Sequence, residues 1–237
     1  ESSPDTLSGN RNSLEDREST SANLFLGGPI WKDRAFFFGM YEYRDDVSER
    51  IFNDDFRETV QDDPFYGGKL DLNVTANQRL EFTYFTDQND LNFTEGSGGA
   101  FTGSGGGFDN NGGDNYTARY TGIFGDNFVL AAQYGANEYA RTSQSTTDAN
   151  PVVIDSRAGG LVFLGDWVSF TVVGADDERD MYRLDADYFL NRHSLRAGGS
   201  QEDNFSFNEQ VYSGGIYWRY FLAGAGQFGL AEGTEIV

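Results

Sequence analysis

The chain has 237 residues, a formal net charge of −21, 16% aromatic residues, 30 glycines, 4 prolines and no cysteine. That charge excludes a nucleic-acid partner, because phosphates would be repelled, and the lack of cysteine excludes a disulfide framework or a thiolate metal site. No run of about 18 apolar residues occurs, so no transmembrane helix is predicted, yet a barrel strand needs only about 9–11 residues with one apolar face.

Residues 1–20 are polar and aperiodic and read as a loop or poorly ordered entry. Strands are expected over 21–222, about nine of them. Runs at 23–30 and 35–44 flank the turn Trp31-Lys32-Asp33-Arg34. The second run is apolar on both faces at first, then sets Tyr41 and Tyr43 against Glu42 and Arg44. A second hairpin turns at Thr75-Ala76-Asn77-Gln78. It sets Gly68, Leu70, Leu72 and Val74 against Lys69, Asp71 and Asn73, and its return sets Leu80, Phe82 and Tyr84 against Glu81 and Thr83.

The third hairpin turns at Gly125-Asp126-Asn127. Tyr116, Ala118 and Tyr120 alternate with Thr117, Arg119 and Thr121, and the return carries Phe128, Leu130, Ala132 and Tyr134. A fourth, at Asn191-Arg192-His193, follows Tyr182, Leu184, Ala186, Tyr188 and Leu190, which alternate with Arg183, Asp185 and Asp187. A ninth run covers 210–222, and 223–237 reads as a Gly-rich tail. Long polar loops are expected at 45–64, 88–114 and 142–179.

Tight turns alternating with long loops, and strands longer than the usual ~5–6 residues, predict an all-β fold. The form is an antiparallel transmembrane β-barrel segment of meandering hairpins, with short periplasmic turns and long extracellular loops. Apolar faces then meet lipid, while Lys69, Asp71, Arg119, Arg183, Asp185 and Asp187 face a wet lumen. The competing reading, a soluble carbohydrate-binding sandwich, places Leu70, Leu72, Phe82 and Tyr84 against a second sheet.

The Gly-rich stretch 96–113 has no Lys-Ser/Thr after its glycines, so it is read as a flexible loop rather than a phosphate cradle. Its Phe101 and Phe108 are candidate ligand contacts. The Asp/Asn run 109–114 offers oxygen ligands but lacks the spacing and terminal Glu of a calcium loop. Residues 160–174 read as a small hairpin about Gly165-Asp166, standing clear of the membrane. Phe163, Trp167 and Phe170 are its candidate ligand or partner contacts, or its local core. The sole histidine, His193, is a turn residue without a second histidine to complete a zinc or nucleophile–base site. Asp185 and Asp187 form an i, i+2 carboxylate pair of a kind glycosidases use, but they read as lumen charges. No catalytic residue, metal or cofactor is expected.

The segment Leu26-Gly27-Gly28-Pro29-Ile30-Trp31-Lys32-Asp33-Arg34-Ala35-Phe36-Phe37-Phe38-Gly39 resembles the barrel of TonB-dependent outer-membrane receptors, in particular the Oar-like group. Gly68-Lys69-Leu70-Asp71 with Asn77-Gln78-Arg79-Leu80, Leu190–Gly198 and Tyr212-Ser213-Gly214-Gly215 resemble later hairpins, the likeness spanning roughly 11–220. The resemblance implies a receptor in the bacterial outer membrane, in contact with lipid and lipopolysaccharide. Such receptors import a scarce ligand (siderophore, vitamin, oligosaccharide or peptide) through a barrel of about 22 strands plugged by an N-terminal domain. The TonB complex acts through that plug region, which this sequence lacks, so the chain is expected to be a slice of a longer receptor. The alternative is an outer-membrane structural or partner-binding barrel without active transport.

Overall fold

The computed structural model describes residues 13–52, 55–97, 104–146, 151–164 and 172–237. The chain is all-β, dominated by one large antiparallel meander. Its elements are β1 (Ser13–Trp31), β2 (Ala35–Phe52), β3 (Asp55–Gln61), β4 (Phe65–Thr75), β5 (Gln78–Thr86), β6 (Asn89–Ser97), β7 (Ser104–Gly112), β8 (Asp114–Phe124) and β9 (Phe128–Ser145). After these come β10 (Val152–Asp155), β11 (Val162–Leu164), β12 (Val172–Leu190), β13 (His193–Val211), β14 (Tyr217–Leu222) and β15 (Glu235–Ile236).

The strand register reduces this inventory to eight long strands. β2 pairs with β4 from Ala35↔Leu72 to Glu42↔Phe65 and resumes with β3 at Asp46↔Gln61. The same number of residues is skipped on both sides, so β3 and β4 are two stretches of one strand. β5 and β6 continue each other opposite them, and β8 and β7 continue each other in turn. β9 then pairs with both β8 and β7. A 19-residue strand such as β12 spans roughly 60 Å at about 3.3 Å per residue.

The eight-strand ring of pairings running from β9 through β7, β6, β3, β2, β4, β5 and β8 back to β9 encircles a seam within this sheet. The seam lies where the ladder is interrupted at 62–64, 87–88 and 113. Its chemistry is local. Pro64 has no N–H to give the ladder. Gly112 has φ +99°, which favours glycine. The Asp87 N–H donates to the Gly113 carbonyl at 3.1 Å, and the Gly113 N–H donates to Asp87 Oδ1 at 3.0 Å. The Thr86 hydroxyl, buried here, also donates to the Gly113 carbonyl at 3.3 Å.

The four expected tight turns all sit at one end. Arg34 N–H closes the first onto the Trp31 carbonyl at 3.0 Å, with Asp33 at φ 61°. Gly125 at φ 61° and Asn191 at φ 47° provide the left-handed positions of the third and fourth.

The expected loops are where sequence and structure part. Residues 45–64 form the tops of β2 and β3, paired as far as Phe52↔Asp55, and 88–114 hold β6 and β7. In 142–179, β9 runs on to Ser145 and β12 begins at Val172, with β10 and β11 between. β1 likewise starts at Ser13, inside the expected entry segment. These stretches are polar on both faces, so alternation such as Phe56, Glu58, Val60 against Arg57, Thr59 carries little apolar contrast.

The run at 210–222 is not a ninth strand of the meander. β13 ends at Val211, and β14 joins a second sheet in the order β11-β10-β14-β15, parallel to β10. The expected Gly-rich tail contributes β15, which pairs with β14. Buried Val152 and Ala223 belong to this smaller sheet.

The large sheet is a single layer, with no other strand layer pairing or packing across its faces in the described residues. Its buried apolar residues, among the described ones, are Ala35 and Phe93, whereas Leu24, Leu26 and Leu195 are 69%, 66% and 58% exposed. The sandwich expectation of a facing sheet is not met.

The seam provides a stability test. A Cβ on Gly113 would collide with the Glu138 carbonyl, whereas one on Gly39 would meet nothing within 4 Å. Gly113→Ala is expected to destabilise the protein by roughly 1–3 kcal/mol, and Gly39→Ala to change little. Thermal unfolding of both variants checks this, and equal midpoints would refute the close packing at the seam.

Candidate functional site

Side chains alternate along each strand, so one uninterrupted register assigns every residue of the meander to one of two faces. The first face carries Leu70, Leu80, Phe82, Leu130 and Leu184 in its middle. Above this band the cross-strand partners Tyr41 and Tyr66, Tyr84 and Tyr116, and Tyr134 and Tyr182 form a row. The rings of Tyr84 and Tyr116, and of Tyr134 and Tyr182, have centroids 5.1 Å apart. Their hydroxyls turn to carboxylates: Tyr84 donates to Asp114 at 3.0 Å, Tyr116 to Asp114 at 3.3 Å and Tyr134 to Asp180 at 2.7 Å. At the tight-turn end, Phe124, Phe128 and Tyr188 make a second aromatic row, with centroids 5.8 and 6.4 Å apart. Tyr116 and Phe124 are eight residues apart on β8, about 27 Å.

The opposite face carries a charged belt. The six residues expected to face a lumen lie on this one side of the sheet: Lys69 and Asp71 on β4, Arg119 on β8, and Arg183, Asp185 and Asp187 on β12. One row runs Asp71, Glu81, Arg119, Gln133, Arg183 across five consecutive strands. Lys69 Nζ lies 3.2 Å from Asp71 and 3.1 Å from Glu81, and Arg79 lies 3.4 and 3.2 Å from the same two carboxylates. Arg183 holds Asp185 at 2.6 Å, and Arg196 holds Asp187 at 2.5 Å. Asp185 and Asp187 are thus each committed to a separate guanidinium, which is not the arrangement of an acid–base pair. Toward β1 the same face turns apolar, with Phe25, Phe38 and Met40 exposed.

The expected loop contacts fare differently. Phe108 lies on β7, half-buried and paired with Asn92 and Gln144, not at a loop tip. Phe163 lies on β11 opposite Ile154 in the smaller sheet, and the expected turn at Gly165-Asp166 lies outside the described residues. Phe101, Trp167 and Phe170 lie outside the described residues. The oxygen-rich run 109–114 is divided by the sheet. Asp109 takes hydrogen bonds from Ser143 and, at 3.0 Å, from Arg57 on the polar face, while Asp114 serves the tyrosines on the other. No metal-binding group occurs among the described residues.

Two clusters escaped the sequence reading. On the upper polar face Arg57 reaches Asp109 at 3.0 Å and Glu95 at 3.6 Å and stacks 4.0 Å from the Phe93 ring centroid. Its signal, Leu91 and Phe93 alternating with Asn92 and Thr94, is present but lies in a polar setting. In the smaller sheet Arg157 binds Asp155 at 2.6 Å and Glu235 at 3.4 Å and stacks on Tyr220. No local motif announces that one, because β10 and β14 are 62 residues apart in sequence.

At the seam, burial pushes the Asp63 carboxyl above its ordinary value, although the Asp90 N–H bonded to it pulls the other way. Hydrogen bonds from the Arg157 side chain and backbone hold the Asp155 carboxyl down at about 2. Its folded value thus lies below the unfolded value near 3.9. The contribution of this pair to the smaller sheet is present above about pH 4 and is lost as pH falls through about 2. Carboxyl NMR titration is expected to show Asp155 titrating near 2 in the wild type and nearer 4 in Arg157→Gln; a wild-type midpoint near 4 would remove the pair. No family model matches the chain, and neither the curated proteins nor the solved structures contain a match to it.

Proposed function

We propose that the chain forms part of the wall of a TonB-dependent outer-membrane receptor, a transmembrane β-barrel that binds a scarce ligand outside the cell and admits it. The observation that supports this most is the single-layer sheet with an apolar face banded by two aromatic rows and a charged face behind it. In water, a continuous apolar surface of this size would be a strong aggregation site. Between lipid and a wet lumen, both faces meet the solvent that suits them. The aromatic rows lie about 27 Å apart along a strand, which at the ~35–45° tilt of barrel strands is roughly 19–22 Å of height, somewhat less than the ~25 Å apolar band of outer-membrane barrels.

On this reading the tight turns face the periplasm, and the strand tops with the smaller sheet stand on the outer side. The tyrosine row with Asp114 and Asp180 lies at the lipopolysaccharide boundary. The free edges of β1 and β13 join further strands of the wall, and TonB acts through a plug elsewhere in the receptor. The long strands carry the polar residues above the membrane as stiff hairpins, presenting side chains on a defined lattice to a ligand of siderophore, vitamin, oligosaccharide or peptide type.

The chain has no cysteine, so single cysteines give clean labelling. In the full-length protein reconstituted in bilayers, nitroxides at Leu70→Cys and Leu184→Cys are expected to relax faster with lipid-soluble oxygen. Those at Thr117→Cys and Ser200→Cys are expected to relax faster with a water-soluble nickel chelate. Equal accessibility on the two faces would sink the membrane reading.

A further inference from the structure

The charged belt holds five cations, Lys69, Arg79, Arg119, Arg183 and Arg196, against four carboxylates, Asp71, Glu81, Asp185 and Asp187. Four of the cations are held by those carboxylates within 3.4 Å. Arg119 is different: among the described residues no carboxylate lies within ion-pair distance of it, although Glu81 is its cross-strand neighbour. Glu81 is engaged by Lys69 and Arg79, and Asp185, two strands away, by Arg183.

Arg119 borders a depression of about 370 Å³ at the tight-turn end of the polar face. Its other walls include the side chains of Asn77 and Thr121, an amide and a hydroxyl, together with Asn73, whose amide donates to the Asp33 carbonyl at 3.1 Å, and the ion-paired Arg79 and Glu81. A guanidinium with its fork of N–H groups uncommitted, beside amide and hydroxyl donors, suits a planar or tetrahedral oxyanion, which it binds in bidentate fashion. The surplus is local: one positive charge in excess, in a chain of net charge −21.

From this arrangement we infer that Arg119 is the centre of an oxyanion-binding site, which takes a carboxylate or phosphate group of a small ligand in that depression. The site deepens the transport reading and rests on it for its place: it marks a station on the lumen wall near the periplasmic end, where an anionic ligand makes a late contact. The acidic strand tops repel such a ligand, so the contact is selective for position along the path.

The test uses the full-length protein in detergent micelles, titrated separately with inorganic phosphate and with acetate by calorimetry. Saturable millimolar binding of at least one anion is expected, weakened at least tenfold in Arg119→Gln and retained in Arg141→Gln, which changes a cation higher on the same face. Arg119→Lys, which keeps the charge but not the fork, is expected to fall between. Phosphate binding alone assigns a phosphate-bearing ligand, acetate alone a carboxylate, and both a general oxyanion site. An unchanged sheet signal in circular dichroism shows that Arg119→Gln is folded. No saturable binding in the wild type, or equal affinity in Arg119→Gln, overturns the site. Either result is independent of the nitroxide measurement, so failure here leaves the membrane reading intact.

Discussion

Everything else in the large sheet depends on its backbone hydrogen-bond ladder keeping one register across eight strands. Because the side-chain period is two, a slip of one residue in any hairpin would exchange the apolar and charged faces of every strand beyond it. The short turns resist such a slip. Left-handed residues at Asp33, Gly125 and Asn191 leave few alternative closures. The ladder survives even the seam, where equal numbers of residues are skipped on neighbouring strands and the faces resume unchanged.

Given that register, the charged belt is not a large source of stability. Its members are partly exposed, with side-chain exposures from 21% to 48% in the Lys69, Asp71, Arg79 and Glu81 group. Pairs of this kind contribute about 0–1 kcal/mol each. The belt's effect is to commit nearly all of its charges to one another. A wall so neutralised attracts little indiscriminately, and a single uncommitted guanidinium stands out against it.

The hairpins and their two faces were legible in the sequence because apolar contrast was strong there. Leu70, Leu72, Leu80 and Phe82 against Lys69, Asp71 and Glu81 leave one reading for that strand pair. The strand tops were not legible, because a strand with polar residues on both faces loses the contrast that marks its period. Asp55–Gln61 and Asn89–Ser97 are paired by the ladder, not by burial. The parallel pairing of β10 with β14 was hidden for another reason: it joins distant segments, and local alternation carries no information about such partners. Within the candidate site, the shared face of six charged residues followed from spacing, whereas the partner of each carboxylate required the cross-strand register.

Among the described residues the meander has two free edges, and they carry a counting rule. β1 runs toward the tight-turn end and β13 runs away from it, so the edges are already of opposite sense. An antiparallel cylinder that includes both must therefore place an even number of strands between them, zero included. An odd number would force one parallel contact. The parity of any such cylinder is thus set by these eight strands: its strand number must be even.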